Sequence, residues 1–443
     1  MVTKQHAAML ILLGVTIVPS AQCSGQSQTE TWRATWAASP SAWLPTNPVI
    51  PPVPPFLKTL ADTDAAQTVR DVVHVTSGGD KCRVRISNVF GKEPLLVIAT
   101  HAALQSTESG IAAGTDRVVT FDEETSVTIP PGADVLSDPI QLRIPMNANL
   151  SISLTSKGRK SAYAIHFLAL QTSYVAPGDQ AGSETLRDAV AIPSWPYLTE
   201  VQVAGKGASE GTVVAFGDSI TDGALTTANT NRRWPNRFFE RLAEKKLNVA
   251  VTDAGIAGNR LLNDAQGNYG SVFGMNGVAR FDRDVLSEAG VRYVIVFLGT
   301  NDIRQPGAGG VPMDSTVSVR EIEVGLSQLI ERAHEQGVRV IGATMLPFGG
   351  SLAPHKYTAE MERMREEINA WIRTNKKFDA VADFDKAVRD PVDESRMQAK
   401  LDGGDHIHPN DAGAKALADS IPVDLFSGAY PPGRGRLSKT SGR

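Results

Sequence analysis

Apolar and polar positions alternate through the first half of the chain and change period in the second. From about Thr68 to Leu170 the period is two. Val69, Val72, Val73 and Val75 form one run; Val84, Ile86 and Val89 form another; residues 95–104, 118–121, 127–129, 140–144, 150–154 and 162–168 continue the series. Side chains two apart share one face of a pleated strand, so each run predicts a strand with one buried side. Gly78-Gly79-Asp80, Pro130-Pro131-Gly132 and Met146-Asn147-Ala148-Asn149 supply turns between them. Many short strands at regular spacing predict a β-sandwich.

The character changes near 205–211. Residues 213–216, 249–251, 293–298 and 338–345 read as apolar strands. Between them, residues 237–247 place Phe238, Phe239, Leu242 and Leu247 near helical spacing. Val319, Ile322, Leu326, Leu329, Ile330 and Ala333 do the same, with Gly337 as a helix stop. A last helix starts after Pro409-Asn410-Asp411, capped by Asn410 or Asp411, and runs to about 421. Strand–helix alternation predicts a parallel sheet covered on both faces. A length of 443 residues fits two domains, expected at 31–205 and 208–428.

Composition narrows the class. Hydrophobic content of 42% and charged content of 21% are those of a globular protein, and a net charge of −4 gives no sign of nucleic-acid binding. Lys4, an apolar stretch at 7–18 and Pro19-Ser20-Ala21-Gln22 have the pattern of a secretory signal peptide over residues 1–23, which predicts a secreted or periplasmic protein. That stretch is too short for a comfortable membrane span, and no other segment is apolar enough. Cys23 suggests a lipid acceptor, although Gln22 stands where a small residue is wanted. Cys82, in an alternating strand, reads as buried and inert. Residues 429–443 read as a frayed, solvated tail.

The chemistry sits in four loops. Gly217-Asp218-Ser219 closes the strand at 213–216. Gly255-Ile256-Ala257-Gly258-Asn259-Arg260 follows the next strand, Gly299-Thr300-Asn301-Asp302 the third, and Asp405-His406-Ile407-His408-Pro409 precedes the last helix. Ligands of open α/β sheets bind at the strand C-termini, so these loops are expected to converge. Ser219 is a candidate nucleophile that needs a base. His408 is the candidate base and Asp405 its orienting carboxylate. Backbone N–H groups of Ser219 and Gly258 and the Asn301 amide could receive an oxyanion. Asn259, Arg260 and Asp302 are possible substrate contacts; Asn259 and Arg260 read equally as structural loop residues, with Arg260 the contact to a polar leaving group, and Asp302 reads as a loop brace before a substrate contact. His406 is the chief rival for the base. Gly207-Ala208-Ser209-Glu210-Gly211 matches another hydrolase pattern, but it precedes a strand instead of closing one, so it reads as a linker.

These four blocks, in this order over roughly half the chain, resemble the SGNH (GDSL) hydrolase superfamily. The resemblance implies a flavodoxin-like three-layer α/β/α domain. It implies acyl-ester hydrolysis through Ser219, Gly258, Asn301, Asp405 and His408, without metal or other cofactor. The first half, with its opening Thr35-Trp36-Ala37 and its β-rich pattern, resembles secreted bacterial members similar to a xylanase-cluster acetylesterase, with an all-β, jelly-roll-like sandwich ahead of the hydrolase. A short acyl ester, acetyl foremost, on carbohydrate or polysaccharide, is the expected substrate. A lipase or arylesterase acting on longer chains, and a non-catalytic carbohydrate-binding protein, are the alternatives.

Overall fold

The second half is built on five parallel strands, and their order fixes where the four loops meet. The computed structural model describes residues 30–44, 60, 63–267, 270–351 and 357–427. The expected signal peptide with Cys23, the Pro-rich segment at 45–55 and the expected tail lie outside these residues. Among the described residues no helix is long and apolar enough to cross a membrane.

The first half contains β1 (Arg33–Ala37), β2 (Ser41–Trp43), β3 (Gln67–His74), β4 (Lys81–Ser87), β5 (Leu95–Leu104), β6 (Arg117–Val118), β7 (Val127–Ile129), β8 (Asp134–Leu136), β9 (Asn149–Lys157), β10 (Tyr163–His166), β11 (Ser173–Pro177), β12 (Val190–Ile192), β13 (Trp195–Pro196) and β14 (Leu198–Ala204). They form antiparallel sheets of order β1-β14-β4-β8, β13-β10-β2 and β12-β11-β3-β9-β5-β6, with β7 also on β5. One apolar core, with Trp36, Trp43, Val84, Leu150 and Trp195, lies between them, as a sandwich requires. Cys82 is in that core, and burial pushes its thiol up to about 12, so it is inert. The expected strand at 140–144 reduces to isolated bridges at Ile140 and Ile144, because Pro139 and Pro145 remove donors at either end.

The second half contains β15 (Gly211–Gly217), α1 (Ser219–Asp222), α2 (Trp234–Glu244), β16 (Val249–Gly255), α3 (Gly277–Phe281), β17 (Val291–Phe297), α4 (Thr300–Arg304), α5 (Val319–Glu335), β18 (Arg339–Ala343), α6 (Ala359–Thr374), β19 (Ala380–Ala382), α7 (Phe384–Val388) and α8 (Asp411–Ser420). The strand order is β16-β15-β17-β18-β19, all parallel. That is the flavodoxin-like order, whose ligand crevice lies beside the first strand. Every residue of β15 is buried, as expected of a central strand covered on both faces. One face carries Trp234, Phe238, Phe384 and Leu417. The other carries Phe281, Ile322, Leu329 and Ile368.

The two halves are not separable by their contacts: the chain from Thr31 onward forms one compact unit. The Ala34 N–H donates to Ala289 O at 2.7 Å, and the Thr212 hydroxyl donates to Ala34 O at 3.0 Å. Val272, from the α/β half, is buried within the sandwich core.

Candidate active site

Ser219 is the first residue of α1, one residue after the fully buried β15. Asp218 caps this short helix by accepting the Ile220 N–H at 3.0 Å. Strand, tight turn and helix together hold the Ser219 hydroxyl at the carboxyl edge of the sheet. His408 arrives from the far end of the chain, on the loop ahead of α8. Its Nε2 lies 2.8 Å from Ser219 Oγ, and its Nδ1 lies 2.5 Å from Asp405 Oδ2. The carboxylate can only accept, so the proton sits on Nδ1, and Nε2 is left to accept from the hydroxyl. Asp405 is itself held: its Oδ1 accepts the Ile407 and His408 N–H groups at 3.0 and 2.9 Å. Burial pushes the Asp405 carboxyl up, but the bond and charge of His408 outweigh it and hold it at about 2. A hydroxyl on an imidazole steadied by a carboxylate can surrender its proton while it attacks a carbonyl.

Among the described residues, neither the Ser219 nor the Gly258 backbone N–H is given to a protein acceptor. Gly258 has φ +72°, and a Cβ there would come within 2.3 Å of the Phe273 ring, so backbone conformation and close packing both demand glycine. Its carbonyl accepts Gln305 Nε2 at 2.7 Å, which fixes the plane of the peptide. Asn301 differs from the expectation of a free donor. Its Nδ2 donates to Asn259 O at 3.1 Å and to Asp218 Oδ2 at 3.4 Å. The second contact is long enough for an arriving oxyanion to displace.

Three of the expected substrate contacts turn inward instead. Asn259 donates to Phe273 O and Met275 O at 2.9 and 2.7 Å and accepts Arg280 Nε at 2.9 Å. Arg260 is buried, with Nη2 donating to Ser315 O at 2.7 Å. Asp302 accepts the Leu261 and Leu262 N–H groups at 2.6 and 3.0 Å. These bonds stitch the loop after β16 to its neighbours, so of the two readings open for each residue the structure favours the brace over the substrate contact. Burial pushes Asp302 up to about 6, against the pull of those two N–H groups and Arg260. Burial likewise raises Asp218 to about 6, against the Ile220 N–H and the charges of His408 and Arg304. His406, the rival base, is paired elsewhere: its Nδ1 lies 2.6 Å from Asp402 Oδ2.

Two residues around the site carry no sequence signal. Arg280, fully buried near the end of α3, donates to Gly217 O at 2.8 Å and Ala254 O at 2.9 Å, tying the carboxyl ends of β15 and β16 together. His166 of β10 reaches across from the sandwich to Asp222, with its Nε2 2.9 Å from Oδ1. Their partners stand 63 and 56 positions away, so no local spacing reveals them.

A parallel α/β/α domain with these loops at its carboxyl edge places the second half of the chain among the carboxylic ester hydrolases. Residues 215–416 match the model of the GDSL-like lipase/acylhydrolase family. Among solved structures, the chain is similar to an acetyl xylan esterase from Geobacillus stearothermophilus, at 20% identity and a TM-score of 0.37, over 49% of this chain and 95% of that one. It is also similar to a lipase/acylhydrolase from Enterococcus faecalis, at 21% identity and a TM-score of 0.36, over 49% of this chain and 96% of that one. Neither likeness bears on what this chain acts on. No curated protein matches the chain.

Proposed function

We propose that this chain is an exported serine esterase that removes short acyl groups, acetyl foremost, from carbohydrate. The observation that carries the mechanism is the unbroken hydrogen-bonded line from Ser219 Oγ through His408 to Asp405. Ser219 Oγ attacks the acyl carbonyl carbon as its proton passes to His408 Nε2. The carbonyl oxygen becomes an oxyanion facing the Ser219 and Gly258 N–H groups, joined by the Asn301 amide. Collapse breaks the bond to the alcohol, which leaves with the proton from His408. Water then attacks the acyl-serine, gives its proton to His408, and the acid departs as Ser219 recovers it. Asp405 stays ionised throughout and stabilises the imidazolium.

The apolar leader pattern at 7–18 supports export. The sandwich helps build the site: the Ser271 hydroxyl donates to Ala42 O of β2 at 2.8 Å, in the turn that carries Phe273 against Gly258. The test is acetate release from a panel of acetylated plant polysaccharides, with an acyl-length series of aryl esters alongside. Turnover should fall by about tenfold or more between butyrate and octanoate, on the order of 1–3 kcal/mol for chain that finds no pocket. Equal or rising turnover at octanoate would assign a lipase instead. Ser219→Ala should lose at least about 10⁴-fold in kcat; wild-type turnover in that variant would remove the mechanism.

A further inference from the structure

The sandwich reaches the reacting groups through one buried side chain. His166 has Nδ1 3.0 Å from Ser39 O and Nε2 2.9 Å from Asp222 Oδ1, with Leu168 O 3.3 Å from the same nitrogen. All three partners accept in the ordinary ionisation state, so both ring nitrogens are used as donors. Burial by itself pushes the ring down, and Arg233 adds to that. The charge and bond of Asp222, with the Ser39 carbonyl, outweigh both and hold the ring above its ordinary value.

Asp222 is where this contact becomes chemical. It ends α1, the turn that Ser219 begins, and its Oδ2 accepts the Ala257 N–H at 2.9 Å. Ala257 precedes Gly258. One carboxylate therefore spans from the nucleophile's turn to the residue beside the proposed oxyanion donor, and its other oxygen is held by the sandwich. Arg233 grips the same place from the other side, donating to Asp222 O at 2.8 Å and to Ala169 O of the sandwich. Without His166, Oδ1 would be a buried acceptor with no donor, and Asp222 would turn toward water or another donor.

We propose that His166 is a positioning residue for ester hydrolysis: by donating to Asp222 it sets the separation between the Ser219 hydroxyl and the Gly258 amide. This rests on the serine-esterase reading above. It makes the sandwich part of the catalytic machinery rather than an appended binder. A misplacement of about 1 Å at such a site costs on the order of a hundredfold, so the effect belongs to kcat.

Two conservative variants separate positioning from packing. His166→Gln can place its Nε2 donor near Asp222 but gives up the bond to Ser39. His166→Asn is shorter; it can serve Ser39 but cannot reach Asp222. With a small aryl acetate, H166N should lose about tenfold or more in kcat with KM within about twofold, and H166Q should stay within about threefold of wild type. The Ala257 amide should exchange with solvent at least about tenfold faster in H166N, and not in H166Q. Wild-type kcat in folded H166N overturns the proposal, as does a tenfold loss in folded H166Q; the latter decides alone if H166N fails to fold. Ser219→Ala is run beside them. Activity indifferent to that change is a failure of the serine reading, and exchange at Ala257 then decides on His166 by itself, unchanged exchange in H166N overturning it.

Discussion

His406 and His408 stand two residues apart, and each has its own carboxylate, yet only one ring meets the serine. His406 sits at φ +64° with its side chain turned to Asp402, whereas His408 points its free nitrogen at Ser219 Oγ. The pair makes a direct comparison. His408→Ala should lower kcat by at least about 10⁴-fold, and Asp405→Asn by about 10³–10⁴-fold, because an amide cannot hold the required tautomer. His406→Ala should stay within about threefold, as for a residue outside the reacting line. Single-turnover acylation rates check all three, and a His406 effect matching that of His408 would move the base. At this scale the four catalytic loops are legible in sequence, because three set a small and a polar residue at a strand end and the fourth sets Asp405 and His408 just ahead of a helix cap. The direction in which a side chain points is not legible. Asn259, Arg260 and Asp302 carry the right chemistry for substrate contact, but all three are buried and bonded to protein partners.

Helix α8 holds the histidine loop in place through its cap. Asn410 Oδ1 accepts the Ala412 and Gly413 N–H groups, and its Nδ2 donates to Lys400 O and Asp402 O at 3.1 and 3.0 Å, so one side chain both starts the helix and closes the loop carrying His408. Asp411, the other expected cap, instead accepts from Thr227 and Arg232. Asn410→Ala should cost about 1 kcal/mol for the cap, with more for the loop bonds, and should lower kcat while leaving KM nearly unchanged. A thermal melt with steady-state kinetics checks both, and unchanged kcat would show that the loop is held by other means. Strongly periodic elements such as α5 and β15 are plain in the sequence. Helix α6 is not, because its buried face mixes Met364, Ile368 and Ile372 with Arg365 and Asn369. Arg365 is neutralised by Asp385 at 2.7 Å, and Asn369 serves both polar groups of the Met345 backbone, partners that no helical period predicts. Strand β19 is three residues long, too short to show a period.

Across the whole molecule, the sandwich covers the edge of the parallel sheet that would otherwise invite pairing with another chain. Edge strand β16 gives its Val251 N–H to the Thr76 hydroxyl at 3.1 Å, and that hydroxyl lies 3.0 Å from Val251 O. Covering this edge also buries Asp253, two residues further along β16. Its Oδ1 accepts the Gly255 N–H at 2.9 Å, and among the described residues its Oδ2 has no partner. Burial raises this carboxyl to about 7, Arg233 pulling it down and Asp222 pushing it up. The unfolded value is about 3.9. The folded chain therefore binds the extra proton between those limits, and the stability this supplies is complete below about pH 4 and lost as pH rises through 7. Asp218 and Asp302, both near 6, act in the same sense. Asp405, near 2, acts in the opposite one: its contribution is present above the unfolded value and lost as pH falls through 2. Asp253→Asn mimics the protonated carboxyl, so it should raise the melting temperature by a few degrees at pH 8 and by only about a third as much at pH 5. Melts of wild type and variant at the two pH values decide the matter. An equal difference at both would mean that Asp253 ionises as it does in the unfolded chain, and that water reaches it past the sandwich.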